Sequence, residues 1–76
     1  MQYPITDVMQ ERLNNDYMYH APNEDQQNRY IQIRGKAKEL ATVIVQCTPP
    51  SREQSVALTQ LDLTVMMANA AIARNE

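Results

Sequence analysis

The segment "VQCTPPSREQ", residues 45–54, decides the fold. Pro49 and Pro50 have no backbone N–H and push the preceding residue away from helical angles, so a helix that runs into them ends there. Ser51 follows as an N-cap, with Gln54 at the capping-box position three residues later. The segment therefore predicts a tight turn between a helix that ends and a helix that begins.

Apolar side chains recur every three or four residues on both sides of this turn, as they do on one face of a helix. We predict helices over about 23–47, with Asn23 as N-cap, and over about 51–74. Both would be roughly 33–36 Å long. Equal lengths and a tight turn predict an antiparallel helical hairpin. The stripes comprise Tyr30, Ile33, Ala37, Leu40, Ala41, Ile44 and Cys47 before the turn, and Leu58, Leu61, Val65, Ala68 and Ile72 after it.

A shorter helix is predicted before the hairpin, over about 6–14, with Thr6 or Asp7 as its N-cap. The connector "YMYHAP", residues 17–22, follows it, and Pro22 disfavours helical angles in the residue before it. The predicted fold class is all-α: a short N-terminal helix plus a long antiparallel hairpin, forming a single domain over residues 1–76.

The size of the chain predicts self-assembly. A chain of 76 residues buries only about 60% of the surface that its unfolded form exposes, so it would be marginal alone. One cysteine and one histidine allow neither an internal disulfide nor a four-ligand zinc site, and no cofactor is expected. The segment "TVMMANAAIA", residues 64–73, is apolar or small almost all round, which suits a helix buried on several sides. We expect a homo-oligomer rather than a better-filled single chain.

Charge and motifs exclude several classes of protein. A net charge of −2 argues against a protein that coats nucleic acid, although a small DNA regulator using the basic residues of 29–38 stays an alternative. No apolar run approaches the roughly 20 residues of a membrane span, and no signal peptide is visible, so we expect a cytosolic protein without membrane contact. No nucleophile, zinc-protease or phosphate-loop motif occurs, so no enzyme is predicted. Cys47 is interpreted as a buried small hydrophobe.

The candidate binding residues cluster at the start of the first long helix. Arg34 and Lys38 lie on one flank of the apolar stripe, while Arg29 and Lys36 lie on the other. These cations are also typical of a solvated helix edge. The tyrosines near these cations favour a ligand-binding site, because aromatic faces beside paired cations suit a ligand with flat rings and phosphates.

Two further residues near this cluster allow both a structural and a functional interpretation. Gly35 costs roughly 1 kcal/mol relative to alanine in a helix interior, which is tolerated where a helix or a ligand approaches the backbone closely. His20 either caps a helix end through hydrogen bonds or contacts a ligand. The sequence alone leaves both alternatives open.

Three short motifs carry a resemblance to a known family. "YHAP" at 19–22 within its connector, "RYIQIRGKAKELATVI" at 29–44, and "VMMANAAIAR" at 65–74 follow one another around a proline turn. In this order and spacing the chain resembles the phage anti-CBASS cyclic-nucleotide sponges, which are related to the hairpin domain of a Thoeris anti-defence sponge. The resemblance covers roughly residues 17–74; the stretch before Asp16 shows no match.

The resemblance implies a hexamer of helical hairpins that holds cyclic oligonucleotide second messengers without cleaving them, in the cytoplasm of the infected bacterial host. The messenger is thereby withheld from the CBASS effector. Cyclic dinucleotides are expected between paired protomers, and cyclic trinucleotides in separate pockets where three protomers meet. The alternative from another class is a helical interaction protein that inhibits a host protein through the apolar face of its hairpin.

The resemblance also assigns residues to these pockets. Tyr19 matches the stacking tyrosine of the cyclic dinucleotide pocket, and Arg34, fifteen positions later, matches its phosphate contact. His20 and Lys38 are expected as neighbours in the same pocket. Lys36 and Arg74 are expected in the cyclic trinucleotide pocket, a looser match because Lys36 replaces a small hydroxyl residue.

Overall fold

The computed structural model describes residues 2–19 and 21–76, which form three helices and no strand. Helix α1 spans Asp7–Tyr17, α2 spans Glu24–Cys47 and α3 spans Arg52–Asn75. Helices α2 and α3 have 24 residues each and pack against each other on either side of the proline turn. The all-α prediction is confirmed, and α1 runs three residues beyond its predicted end.

Side-chain caps fix where the first two helices begin. The Thr6 hydroxyl accepts a hydrogen bond from the Met9 backbone N–H at 3.2 Å, which settles the choice of N-cap for α1. At the start of α2, the Asn23 side chain accepts from the Gln26 N–H at 2.8 Å, and the Gln26 side chain accepts from the Asn23 N–H at 3.0 Å. This reciprocal capping box satisfies two backbone donors that the helix itself leaves unpaired.

The turn between α2 and α3 differs from a full capping box. Ser51 accepts from the Gln54 N–H at 3.1 Å, as predicted. The Gln54 amide does not return to the Ser51 backbone but donates to the carbonyl and hydroxyl oxygens of Thr48, at 3.1 and 3.0 Å. Gln54 therefore ties the start of α3 to the C-cap of α2, and this holds the two helices together at the turn.

The apolar stripes face each other across the hairpin but are only partly covered. Ile72 is the one buried side chain among the described residues, at 9% exposure. Most other stripe residues are half-buried, while Leu40 remains 50% exposed. Cys47 is also exposed, so its interpretation as a buried hydrophobe is wrong for a single chain. A pair of helices shields only one side of each partner, and Cys47 lies in the last turn of α2.

The chain is thin and extended. It measures 50 × 39 × 13 Å, and its radius of gyration is 17.2 Å, against about 11 Å for a compact domain of this length. Large apolar side chains on the outer surfaces of α3 are consequently exposed, among them Val56, Leu63, Met66 and Met67. A single chain thus leaves uncovered the kind of surface that usually lies at an interface.

Helix α3 corrects the expectation that no apolar segment of the chain approaches the length of a membrane span. It contains an 18-residue window of mean hydropathy 1.4, so by length and composition it could cross a membrane. Thr, Gln and Asn residues break the continuous apolar run, so the length of the hydrophobic segment is not obvious from the sequence. Asp62 is nevertheless the only charged residue between Glu53 and Arg74. Core helices of soluble proteins meet the same criterion, and only 6% of this window is buried here.

Candidate ligand-binding site

A concavity of about 570 Å³ lies at the open end of the hairpin, away from the proline turn. We call it the end concavity. Its volume is within the range of about 300–1,000 Å³ that small-molecule sites occupy. The end of α1, the connector, α2 and the last turns of α3 all contribute to it. Its lining residues are Asn15, Asp16, Met18, Tyr19, Pro22, Tyr30, Arg34, Asn69, Ala70, Ala73 and Arg74.

Polar contacts attach the last turn of α1 to the last turn of α3. The Asn15 side-chain amide donates to the Arg74 carbonyl oxygen at 2.7 Å, across 59 residues of sequence. The Asp16 carboxylate lies 3.6 Å from the Arg74 Nε and 3.6 Å from the Arg12 Nε, one arginine at each oxygen. The rest of α1 is largely exposed, so these contacts hold the end of α1 against α3. The end of α1 thereby forms one wall of the end concavity.

A second set of charges joins the C-terminal end of the described chain to α2. The Arg29 guanidinium donates to both carboxylate oxygens of Glu76, at 2.7 Å for Nη1, and lies 3.0 Å from Asp25. The hydrogen bonds from Arg29 lower the pKa of Glu76, and those to Glu76 raise the pKa of Arg29. Both Nη atoms of Arg29 are therefore occupied by carboxylates of the same chain, and its buried Nε has no hydrogen-bond partner among the described residues. A guanidinium already neutralised in this way is a poor candidate for binding an external anion.

The structure brings three of the predicted site residues together. Tyr19, Arg34 and Arg74 all line the end concavity, next to the half-buried Tyr30. Tyr19 is 87% exposed, so its ring face is open to a stacking partner. The family resemblance assigned Arg74 to a different pocket from Tyr19 and Arg34, but within one chain all three residues line the end concavity. His20 lies outside the described residues.

The guanidinium of Arg34 has no ion-pair partner among the described residues. Across residues 2–19 and 21–76, its side chain makes no ion pair and no hydrogen bond. Arginine presents several donors in a fixed fork that matches phosphate oxygens. An exposed arginine next to two aromatic rings, without a protein partner, is well suited to bind an anionic ligand.

The two lysines lie on opposite sides of the hairpin, as their spacing predicts. Lys38 lines a side groove together with Arg34, Asp62 and Met66. Lys36 lines the groove on the other side and lies 3.4 Å from Glu39. Neither lysine borders the end concavity of the same chain, so joint action with Tyr19 would require a second chain or a long reach.

Gly35 has open space around it. Apart from its own turn of helix, a Cβ placed on this residue would meet no atom of the described residues within 4 Å, so no close approach among them accounts for the glycine.

Asp16 and Asn69 are lining residues that the sequence analysis did not select as site residues. Asn69 lies within the "ANA" part of a family motif, which could have indicated it. Asp16 carried no comparable signal.

Comparison with known families identifies the chain. The family model described as "Acb2/Tad1, hairpin domain" matches residues 9–73. The chain belongs to this family. The match confirms the resemblance to the anti-CBASS and anti-Thoeris sponge family. It begins within α1, eight residues before the predicted start at residue 17, so the expectation that the stretch before Asp16 shows no match is wrong. The Acb2/Tad1 family consists of phage anti-defence sponges for cyclic nucleotides, which bind rather than catalyse. Searches among curated proteins and among solved structures find no significant match.

Proposed function

We propose that this protein sequesters cyclic oligonucleotide second messengers and so prevents activation of a CBASS effector in the cytoplasm of the infected bacterium. Cyclic dinucleotides are the primary ligands, and cyclic trinucleotides are a second class. The observation that carries the proposal is the meeting of Tyr19, Tyr30 and Arg34 in one concavity, where Arg34 has no ion-pair or hydrogen-bond partner among the described residues. Aromatic rings stack on any base, and arginine pairs with phosphate, so the set fits both parts of a nucleotide.

Retention of the ligand requires more than one chain. The end concavity is open to solvent in the single chain, and an open site releases its ligand quickly. We therefore propose a homohexamer in which paired protomers close the concavity and contribute Tyr19 and Arg34 from both sides. The apolar residues left exposed on α3 and the open shape of the chain support assembly, since burying such surface is the main driving force for association.

The remaining predicted residues have subsidiary roles in this proposal. His20 and Lys38 assist in the cyclic dinucleotide pocket, where Lys38 reaches the ligand from the side groove that it shares with Arg34. Lys36 and Arg74 serve the cyclic trinucleotide pocket where three protomers meet. Net charge does not oppose anion binding, because the local field of a few convergent cations outweighs a mild overall excess of acids.

The direct test is to titrate the protein by calorimetry with a panel of cyclic di- and trinucleotides. The complex is then denatured, and the released ligand is analysed by mass spectrometry. The proposal expects tight binding and release of unaltered ligand. Binding of none of the panel, or release of linear products, would contradict sequestration.

A second candidate function is a helical interaction protein that inhibits a host protein through its apolar face. The exposure of Val56, Leu63 and Met67 on the outer side of α3 favours it. Light scattering after gel filtration separates the two candidates. A hexamer covers these residues with copies of itself, whereas the interaction protein stays a monomer or dimer with its apolar face free. Recovery of the chain only with membranes would instead indicate that α3 inserts into lipid.

A further inference from the structure

A single carboxylate lies among the aromatic and cationic side chains of the end concavity. Of the described residues that line it, Asp16 is the only acid. Its side chain is 18% exposed, less than any other acid that forms an ion pair in the described chain. A negative charge repels phosphate and so works against anion binding. Asp16 therefore either positions its neighbours or contacts a different part of the ligand.

The contacts of Asp16 leave it able to accept more hydrogen bonds. One arginine lies at each of its oxygens, Arg12 and Arg74, both at 3.6 Å. These distances are those of ion pairs and exceed the usual length of a hydrogen bond. A carboxylate has about four acceptor positions. Lone pairs of both oxygens therefore remain available, while the two guanidinium groups offset the repulsion of a nearby phosphate.

Asp16 and Tyr19 are neighbours in the site. Asp16 lies in the last turn of α1, Tyr19 follows two residues after that helix ends, and both line the end concavity. A base stacked on the ring of Tyr19 would lie in the concavity that the Asp16 carboxylate also lines. The edge of that base, rather than its face, is then available to the carboxylate.

Resting on the proposed function, we infer that Asp16 binds the Watson–Crick edge of guanine and makes the protein selective for guanine-bearing cyclic dinucleotides. Guanine presents two adjacent donors, N1–H and the 2-amino group, that match the two oxygens of a carboxylate. Adenine presents one amino donor beside the acceptor N1, whose lone pair would face a carboxylate oxygen. A bidentate contact of this kind discriminates between bases by about fivefold to 150-fold.

The test compares cyclic di-GMP with cyclic di-AMP by calorimetry, for the unmodified protein and for Asp16→Asn. The unmodified protein is expected to bind cyclic di-GMP at least fivefold more tightly. Asp16→Asn should lose this preference, so that the two ligands bind with similar affinity, whatever both of them lose through the weaker contacts of residue 16 with Arg12 and Arg74. Glu11→Gln is the matched control, since it removes an exposed acid of α1 that does not line the concavity, and should keep the preference.

Each other outcome has a definite meaning. If Asp16→Asn weakens both ligands equally, Asp16 only positions Arg74 and the inference is overturned. If the unmodified protein binds both ligands equally, guanine selectivity is refuted while sequestration stands. If neither ligand binds, the proposed function itself fails. Should Asp16→Asn not fold, cyclic di-IMP decides with the unmodified protein: lacking the 2-amino group, it should bind at least fivefold more weakly than cyclic di-GMP, and equal affinity would overturn the inference.

Discussion

Replacement of Arg34 by alanine should abolish most ligand binding and leave the fold intact. In the described chain the guanidinium has no hydrogen bond and no ion pair to lose. Arginine and alanine also differ little in helix propensity. The free energy of unfolding of the variant should therefore stay within about 0.5 kcal/mol of the unmodified value, as for other surface substitutions away from special contacts.

The expected loss in affinity follows from the phosphate contact. A hydrogen bond to a charged group contributes about 1.5–3 kcal/mol, which is a loss of about 10-fold to 150-fold for one Arg34. In a pocket closed by two protomers, both copies of Arg34 are removed at once. The total loss should then exceed that of a single contact, although two contacts to one ligand need not add.

Calorimetry with a cyclic dinucleotide measures the loss, and circular dichroism with light scattering checks fold and mass. Arg52→Ala is the matched control, because Arg52 is also exposed and forms no ion pair in the described chain, but lies at the proline-turn end. The control should bind as the unmodified protein does. Unchanged affinity of Arg34→Ala, or its dissociation or unfolding, would refute the reasoning, the latter by showing that Arg34 is structural.

Three further predictions concern stacking, assembly and pH. Tyr19→Ala should weaken cyclic dinucleotide binding in calorimetry by roughly 1–3 kcal/mol through lost stacking, while Tyr17→Ala, outside the concavity, should not. Gly35→Ala introduces no clash among the described residues of its own chain. If another chain packs on this face, the added methyl group should disturb that contact and lower the mass measured by light scattering. A more stable protein of unchanged mass would exclude such packing. Arg29 holds the pKa of Glu76 below its ordinary 4.5, so this pair stabilises the fold above about pH 4.5 and loses that effect as the pH falls through the lowered pKa. Glu76→Gln should therefore reduce the change in the free energy of unfolding across this pH range. An unchanged pH dependence would contradict this prediction.

Local sequence signals predicted the helices well. The prolines and Ser51 determined the turn, and Asn23 determined the start of α2. Such caps depend on residues within one turn of each other, and an apolar stripe reflects a single helix face, so both can be read without knowing the tertiary structure. The end of α1 was less predictable, since no proline or glycine lies between the predicted end and the connector.

The candidate site was only partly predictable for the opposite reason. The basic cluster indicated Arg34, and a family resemblance assigned Tyr19 and Arg34 to one pocket. The placement of Arg74 beside them depends on a contact between α1 and α3 across 59 residues. Asp16 gave no signal at all, because its place in the site depends on its contact with Arg74, which only the tertiary fold brings near it. The exposure of Cys47 was mispredicted because a stripe shows which residues share a face, not whether a partner covers that face.

Native mass spectrometry of the purified protein, mixed with a cyclic dinucleotide and then desalted, tests the central claim most directly. Our account predicts a hexamer that retains the cyclic dinucleotide through desalting and yields it intact on denaturation. A stable, well-folded monomer that carries no ligand would contradict it.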